Sequence, residues 1–289
     1  MGVDKHVLRG RIAVVTGAAR GVGEAVARRL AERGARVAVL GLEEEVLAEV
    51  AASLPTASHY WHVDVTDDAA MAEVSEAVRS RLGRASVVVA NAGVADSGPF
   101  TGSDPDIWRR VIEVNLVGSS ITARAFLPDL LGTRGYYLQI ASLASIGAAP
   151  MMSAYCASKA GVEFFAHSLR AELAPCGVGV GTAYLGWTDT DMIRGAEQHA
   201  VLRELRAHMP PPARKIYPVR QVAEALVSAV ERRAPTVYVP GWLRSVQAVR
   251  ALLPGLVTRL SRRELMGSQF SATGLLGPGG RAATTGRDV

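Results

Sequence analysis

The chain has 289 residues, of which 49% are hydrophobic, and a formal net charge of +5 at pH 7. It can bury one large core, and its arginines are scattered without a basic, aromatic stripe, which argues against a nucleic-acid partner. No uncharged apolar run approaches a membrane span, and no apolar run near the N-terminus predicts a signal peptide. Cys156 and Cys176 are expected to be unbonded, so we expect a reducing, cytoplasmic location.

The first predicted strand, residues 11–16, is a short apolar and β-branched run that leads into a glycine loop, residues 17–23. A helical pattern follows the loop. Gly17 permits a tight turn, Gly21 lets backbone approach a pyrophosphate, and Gly23 allows close packing, so the helix N-terminus would face an anion. A plain strand-to-helix turn that binds nothing is the alternative.

The second predicted strand, residues 36–40, ends at Gly41, where a dinucleotide fold usually places an acidic residue for the adenosine ribose. The missing carboxylate removes a repulsion that a 2′-phosphate would meet, and Arg20 could offer its guanidinium to that phosphate. The sequence therefore favours NADP(H), with NAD(H) as the alternative. Residues 43–45 are glutamates, which count against a phosphate nearby, although acidic residues are also favoured in the first turn of a helix.

Strands and helices continue to alternate along the chain. Strands separated by helices of this length imply a parallel sheet covered on both faces. We therefore predict a Rossmann-type, doubly wound α/β fold with a mainly parallel sheet of seven strands. The further strands are predicted at residues 58–63, 85–90, 136–140, 178–184 and 236–239, and the further helices at 67–82, 104–131 and 153–173.

Tyr155 and Lys159 are four residues apart on the predicted helix 153–173 and therefore share one face. A cation beside a phenol favours the phenolate, so we expect Lys159 to lower the pKa of Tyr155. Ser142 follows a predicted strand, and α/β sheets place their chemistry beyond the carboxyl ends of strands. A hydroxyl there could hold a substrate oxygen beside the phenol. Taken alone, a tyrosine and a lysine at this spacing also occur in ordinary helices.

Together these motifs resemble those of the short-chain dehydrogenase/reductase family, in its single-domain branch. The resemblance covers roughly residues 8–240 and implies an NAD(P)-dependent oxidoreductase that forms a homodimer or homotetramer. It departs from the family pattern at Ala90 and Leu185, where an asparagine and a proline are usual. The motifs that carry it are Thr-Gly-x-x-x-Gly-x-Gly, Asn91-Ala92-Gly93, Asn115, Ser142 and Tyr155-x-x-x-Lys159.

The resemblance implies a role for each matching residue. Tyr155 would be the general acid and base, Lys159 would lower its pKa and bind the nicotinamide ribose, and Ser142 would orient the substrate oxygen. Asn115, through a distorted helix, would hold a water that links Lys159 to solvent. Besides Tyr155 and Lys159, the expected cofactor contacts are Gly17, Ala19, Arg20, Gly21, Val22, Gly23, Gly41, Asp64, Val65, Asn91, Ala92, Gly93, Gly186, Thr188 and Thr190.

Residues 187–217 lie where the family places its variable substrate loop, and they are rich in apolar side chains. We therefore expect the partner to be a small molecule, a bulky apolar alcohol or ketone; packing of these side chains against the protein itself is the alternative. His199 and His208 have no partner at metal-ligand spacing, and no metal is expected. The predicted substrate contacts are Leu143, Ile146, Met152, Trp187 and Met192.

Beyond a catalytic domain at residues 1–241, residues 242–266 are predicted to form an amphipathic, basic helical extension, broken or kinked near Pro254. Packing over the substrate mouth or a subunit interface is the favoured interpretation. Docking of residues 242–263 on an anionic membrane surface is the alternative. Residues 267–289 are rich in Gly, Thr and Arg and are predicted to be a disordered tail.

These patterns predict an oxidoreductase that interconverts a secondary alcohol and a ketone. Two alternatives stay open, a reductase of carrier-bound 3-oxoacyl thioesters and a non-catalytic dinucleotide sensor. A sensor has no need of a proton-transfer set, and the chain has Ser142, Tyr155, Lys159 and Asn115 together, which favours catalysis.

Overall fold

The computed structural model describes residues 7–197, 203, 206, 207, 209, 211–264 and 274–277. Within this part of the chain, seven strands form one sheet in the order β3-β2-β1-β4-β5-β6-β7, and all neighbouring strands are parallel. The predicted doubly wound α/β fold is therefore confirmed. The strands are β1 Ile12–Thr16, β2 Arg36–Gly41, β3 His59–His62, β4 Ala85–Ala90, β5 Tyr136–Ser142, β6 Gly179–Leu185 and β7 Thr236–Val239.

Helices lie on both faces of the sheet and make most of the connections between strands. In the described part of the chain, they are α1 Gly21–Glu32, α2 Glu44–Ser53, α3 Asp68–Arg81, α4 Pro105–Ile112, α5 Gly118–Thr133, α6 Leu143–Ile146, α7 Ser153–Leu173, α8 Asp191–Glu197, α9 Pro211–Arg214, α10 Val219–Glu231, α11 Leu243–Ala248 and α12 Leu253–Glu264. The predicted helix 153–173 is confirmed at both ends.

Strand β1 shows why the central strands are apolar along their whole length. All five of its residues are buried. Val15 packs in the apolar cluster that includes Val26 of α1, and Val14 packs in the cluster on the other face that includes Phe126 of α5. A strand that is buried on both faces has no solvent-facing side, so polar residues do not alternate with apolar ones along it.

The direction of chain progression reverses at β1, because β1 pairs with β2 on one side and with β4 on the other. In open α/β sheets this reversal leaves a crevice beyond the carboxyl ends of the two strands. The loops that follow β1 and β4, residues 17–20 and 91–99, therefore border the same crevice.

The helical region predicted at residues 104–131 is interrupted. Asp104 caps α4 by accepting a hydrogen bond from the Asp106 amide at 2.8 Å. A single π turn then covers Glu113–Val117, and α5 continues from Gly118. This turn is the helix distortion that the family resemblance implied at Asn115. A Cβ at Gly118 would lie 2.6 Å from Val65 Cγ2, so glycine allows α5 to approach the loop after β3.

The C-terminal extension packs on the domain. Leu243 is fully buried, and Val246 and Leu253 join it against Ile146 of α6. The extension breaks between Ala248 and Leu253, where a 3₁₀ turn at Arg250–Leu252 separates α11 from α12. The break precedes Pro254 because proline fits the first turn of a new helix and not a helix interior.

Two predictions about the chain outside the sheet can be compared with the structure. Cys156 and Cys176 are free thiols, as expected. Of residues 267–289, which the sequence predicts to be a disordered tail, the structure describes residues 274–277, where Leu276 exchanges two backbone hydrogen bonds with Ala95; the rest lies outside the described residues, and the disorder stays a prediction. No described helix has the length and apolar character that crossing a membrane requires.

Candidate active site

A cavity of about 670 Å³ lies beyond the carboxyl ends of the strands. Nearly all residues predicted from the sequence to bind the cofactor or to take part in catalysis line this one space. Gly23 and Asn115 do not line it, but each supports residues that do. The predicted residues on its wall are Gly17, Ala19, Arg20, Gly21, Val22, Gly41, Asp64, Val65, Asn91, Ala92, Gly93, Ser142, Tyr155, Lys159, Gly186, Thr188 and Thr190.

The glycine loop requires its glycines. Gly17 has φ +62°, and a Cβ there would lie 2.9 Å from Ala92 Cα. A Cβ at Gly23 would lie 2.1 Å from the Gly17 carbonyl oxygen, closer than any real contact. The Asn91 amide donates hydrogen bonds to the carbonyls of Thr16 at 3.0 Å and Gly17 at 3.2 Å, which ties the loop to the residues after β4.

At the predicted adenosine end, Asp64 is held by its neighbours. It accepts hydrogen bonds from the Thr66 amide at 2.9 Å and the Thr66 hydroxyl at 2.8 Å, and from Arg110 at 2.5 Å. Burial opposes ionisation of Asp64, but these hydrogen bonds and the Arg110 charge outweigh it and hold the pKa of the carboxyl below its usual value. Arg110 also lines the cavity, although sequence reasoning did not single it out.

Arg20 already has a partner, which the sequence did not indicate. Its Nε lies 2.8 and 2.7 Å from the two carboxylate oxygens of Glu43, and its Nη1 lies 3.7 Å from Asp191. Glu43 lines the cavity two residues beyond Gly41. A 2′-phosphate would therefore have to compete with a carboxylate for this guanidinium. The glutamates after β2 were the only sequence signal for this pair.

The predicted proton-transfer residues meet at the other end of the cavity. Ser142 and Tyr155 both line the cavity, and the Ser142 hydroxyl is close enough to Tyr155 to favour its ionised form. The Ser142 hydroxyl also caps α6 by accepting from the Ala144 amide at 3.1 Å. Lys159 Nζ lies 5.7 Å from the centre of the Tyr155 ring and donates to the Ile140 carbonyl at 3.2 Å. The helix spacing and the strand end therefore place these groups together as predicted.

The protonation of this pair differs from the expectation that Lys159 lowers the pKa of Tyr155. Burial raises the pKa of the Tyr155 phenol above its usual value, and the nearby Ser142 hydroxyl only partly opposes the rise. Burial also lowers the pKa of Lys159 to about 8. Desolvation disfavours both charged forms, and it is the largest contribution for each group.

Asn115 does not line the cavity; its side chain forms hydrogen bonds with the backbone after β4. Its Oδ1 accepts from the Val94 amide at 2.8 Å, and its Nδ2 donates to the Val94 carbonyl at 2.9 Å and to the Ser158 hydroxyl at 2.9 Å. A Cβ at Gly93 would lie 3.1 Å from Asn115 Oδ1 and 3.5 Å from Lys159 Nζ, so glycine keeps this space open. The water that Asn115 was expected to hold stays a prediction.

Of the five predicted substrate residues, Met192 alone lines the cavity. Leu143 and Ile146 instead pack with the C-terminal extension, because α6 is a single turn whose apolar side faces α11 and α12. Trp187 Nε1 lies 3.4 Å from the Met209 sulfur. Met152 is buried in a small cluster beside the cavity. In the predicted substrate loop, residues 198–202, 204, 205, 208 and 210, which include His199 and His208, lie outside the described residues.

Comparison with known proteins gives the class of the chain. A family model described as short chain dehydrogenase matches residues 11–200. Cis-4-hydroxycyclohexanecarboxylate dehydrogenase of Sinomonas cyclohexanicum is 36% identical over 221 residues, which cover 75% of this chain and 87% of that protein. The probable oxidoreductase EphD of Mycobacterium tuberculosis is 30% identical over 260 residues, 86% of this chain. The chain spans only 44% of the length of EphD.

Among solved structures, a short chain dehydrogenase/reductase from Burkholderia phymatum in complex with NAD has a TM-score of 0.73 and 25% sequence identity, over 83% of this chain and 92% of that one. The chain therefore belongs to the short-chain dehydrogenase family. Membership confirms the resemblance drawn from the motifs. Gly17, Gly21 and Gly93, where a Cβ would press on Ala92, Thr190 and Asn115, line one cavity, and this glycine-rich lining fits a nicotinamide dinucleotide.

Proposed function

We propose that the chain interconverts a secondary alcohol and a ketone on a bulky apolar substrate. One observation carries the proposal. Ser142 and Tyr155 lie together on the wall of the cavity that the glycine loop also lines. Proton-transfer groups and a dinucleotide cradle in one space are what hydride exchange at a carbonyl carbon requires. When bound, the nicotinamide supplies or accepts the hydride.

The chain's own residues handle the proton. In reduction, the Tyr155 hydroxyl donates its proton to the substrate oxygen, and in oxidation the phenolate takes a proton from the alcohol. The raised pKa of Tyr155 keeps the phenol protonated at neutral pH, which suits the donor role. Ser142 donates a second hydrogen bond to the same oxygen and orients it. Lys159 lies beside the ring and stabilises the phenolate that forms when Tyr155 gives up its proton.

The reaction is tested with a panel of ketones and alcohols, followed by the absorbance of the reduced nicotinamide. Cyclohexanone, 2-decalone and 4-oxocyclohexanecarboxylate are suitable probes, since a relative in the family acts on an alicyclic hydroxy acid. We expect turnover of the alicyclic ketones. Turnover of small polar polyols alone would contradict the apolar substrate.

For the cofactor we propose a preference for NADP(H) in which the 2′-phosphate displaces Glu43 from Arg20. The support is the guanidinium on the cavity wall and the absence of a carboxylate at Gly41. Glu43 opposes this preference, so the two residues make a matched pair of tests. Arg20→Ala is expected to weaken NADPH binding about tenfold and leave NADH binding unchanged. Glu43→Gln is expected to strengthen NADPH binding relative to NADH.

Both dissociation constants are measured by quenching of tryptophan fluorescence on titration with NADPH and NADH. The control is Glu45→Gln. Glu45 lies in the first turn of α2, which Glu43 precedes, but it does not line the cavity, so the variant should change neither constant. Equal effects of Arg20→Ala on both cofactors would contradict a phosphate-reading role.

The lowered pKa of Lys159 predicts the pH dependence of cofactor use. Below about pH 8 the side chain is protonated and can attract the anionic dinucleotide, and this charge is lost as the pH rises through about 8. We expect kcat/KM for the cofactor, which reports groups of the free enzyme, to fall above that pH. A profile that stays flat to pH 10 in buffers of constant ionic strength would contradict it.

We propose a homodimer or homotetramer that buries faces of α5 and α7. The support is a set of apolar side chains left in solvent on this side of the chain: Val117 is 42% exposed, Leu131 39% and Phe164 61%. Light scattering after size exclusion gives the mass directly. Phe164→Glu is expected to shift the assembly toward monomer, while Phe100→Glu, at a 70% exposed loop residue, serves as the control.

Membrane docking through residues 242–263 stays the less favoured alternative, because α11 and Leu253 already pack on the domain. Val249, Leu252 and Leu256 are nevertheless exposed beside arginines. Pelleting with phosphatidylserine vesicles, lost when Leu252 and Leu256 are both changed to Asp, would favour docking over packing alone.

A further inference from the structure

Residues 274–277, here called the strap, pair with the loop after β4. The Ala95 amide donates to the Leu276 carbonyl at 2.9 Å, and the Leu276 amide donates back to the Ala95 carbonyl at 2.7 Å. This exchange of two bonds is one rung of an antiparallel ladder. Ala95 is itself buried, so the strap lies on a fixed part of the domain.

The strap forms part of the wall of the cavity. Leu275, Leu276 and Gly277 line it. Gly277 has φ +125°, and a Cβ there would lie 3.2 Å from Val94 Cγ1 and 3.3 Å from the Met192 methyl. Glycine at this position therefore lets the strap lie flat against the loop and against the one predicted substrate residue that lines the cavity.

The side chain of Leu276 lies in the same apolar cluster as Tyr155. It packs on Met152, in a cluster that also contains Ala149, Tyr155 and Cys156. A ketone whose oxygen meets the Tyr155 hydroxyl must place its carbon skeleton in the same neighbourhood. Leu143 and Ile146, which the sequence predicted for this wall, pack elsewhere, so Leu276 supplies apolar surface that they do not.

We propose that the strap is a wall of the substrate site and that Leu276 sets the size of ketone that can reach Tyr155. The proposal rests on the proposed alcohol–ketone reaction. It assigns a specificity role to a segment far along the chain from the variable loop at residues 187–217. One methylene group more or less in an apolar pocket changes the discrimination between substrates by roughly 10- to 200-fold.

The experiment compares wild type with Leu276→Ala and Leu276→Phe, using cyclohexanone as the small probe and 2-decalone as the bulky one. We expect Leu276→Ala to raise the ratio of kcat/KM for 2-decalone over cyclohexanone about tenfold, and Leu276→Phe to lower it. Leu252→Ala, at a 74% exposed leucine of the extension, is the matched control and should leave the ratio unchanged. An unchanged ratio in both Leu276 variants would overturn the proposal, as would an equal gain for both ketones.

A second measurement does not depend on turnover. In a Cys176→Ser background Cys156 is the only thiol, and it shares the Met152 cluster with Leu276. Gly277→Val, whose side chain would collide with Val94 and Met192, is expected to raise the rate of Cys156 alkylation by N-ethylmaleimide about tenfold. An unchanged rate would overturn the placement of the strap. If the rate rises but no ketone is reduced although the cofactor binds, the proposed reaction fails and the placement stands.

Discussion

Replacing Tyr155 with phenylalanine is expected to reduce kcat for ketone reduction by about 10²- to 10⁴-fold, because the variant keeps the ring but has no proton to donate. The dissociation constant of the cofactor should change little, since the ring still fills its place beside Lys159. Steady-state kinetics together with a fluorescence titration separate these two quantities. The loss should therefore appear in kcat and not in cofactor binding.

Tyr238→Phe is the matched control for this prediction. Tyr238 stacks on Tyr184 with ring centres 4.9 Å apart and does not line the cavity, so the variant keeps the stacking and should keep its activity. A Tyr155→Phe enzyme that retained more than about a tenth of kcat would show that another group supplies the proton.

The second large effect is expected at Glu163, one helical turn beyond Lys159. Its side chain is completely buried. It accepts hydrogen bonds from Arg250 Nη1 at 2.5 Å and from Gln247 Nε2 at 2.9 Å. Arg250 also donates to the Ser145 carbonyl at 3.1 Å. The ion pair between Arg250 and Glu163 therefore links the C-terminal extension to α7, the helix that carries Tyr155 and Lys159.

Arg250→Met would leave the buried Glu163 carboxylate without its cation. Breaking a buried pair from one side typically costs about 3–5 kcal/mol, and we expect the lower end because Arg250 is about one-third exposed. The free energy of unfolding is measured in urea for Arg250→Met and for Arg244→Met, a control at an exposed arginine of α11.

The double variant Glu163→Gln/Arg250→Met separates a buried charge from lost packing. Removing both charges should recover part of the loss, because no ion is then left buried. If the double variant is less stable than Arg250→Met alone by the full effect of Glu163→Gln, the two residues act independently and the ion-pair interpretation is wrong.

The fold and the proton-transfer set could be predicted from the sequence because both depend on local patterns. A strand such as β1 is apolar at every position when helices cover both faces. The spacing of Tyr155 and Lys159 puts them on one helix face in any environment. The glycines of the first loop are required by close contacts, of Gly23 with Gly17 in the same loop and of Gly17 with Ala92 after the neighbouring strand β4.

Other features depend on which distant residues meet in the folded chain. Arg20 pairs with Glu43 because two loop ends converge beyond β1 and β2. The apolar side of α6 faces the extension, so Leu143 and Ile146 look like substrate residues in sequence but pack elsewhere. The protonation of Tyr155 depends on burial, which a helix pattern does not reveal. The pairing of the strap with Ala95 does not follow from the sequence, which predicts only a disordered tail over these residues.

The Asn115 side chain pairs with Val94 much as a neighbouring peptide group would, accepting from its amide and donating to its carbonyl. The π turn brings this amide to the place where β4 has run out of strand partners. The Asn115 side chain therefore takes the place that a neighbouring strand would have in the hydrogen-bonding pattern of the sheet. The backbone at Gly93 is then ordered when the protein folds and not when a ligand arrives. Ligand binding therefore does not have to supply the conformational entropy lost when this backbone is fixed, and such preorganisation favours tight binding.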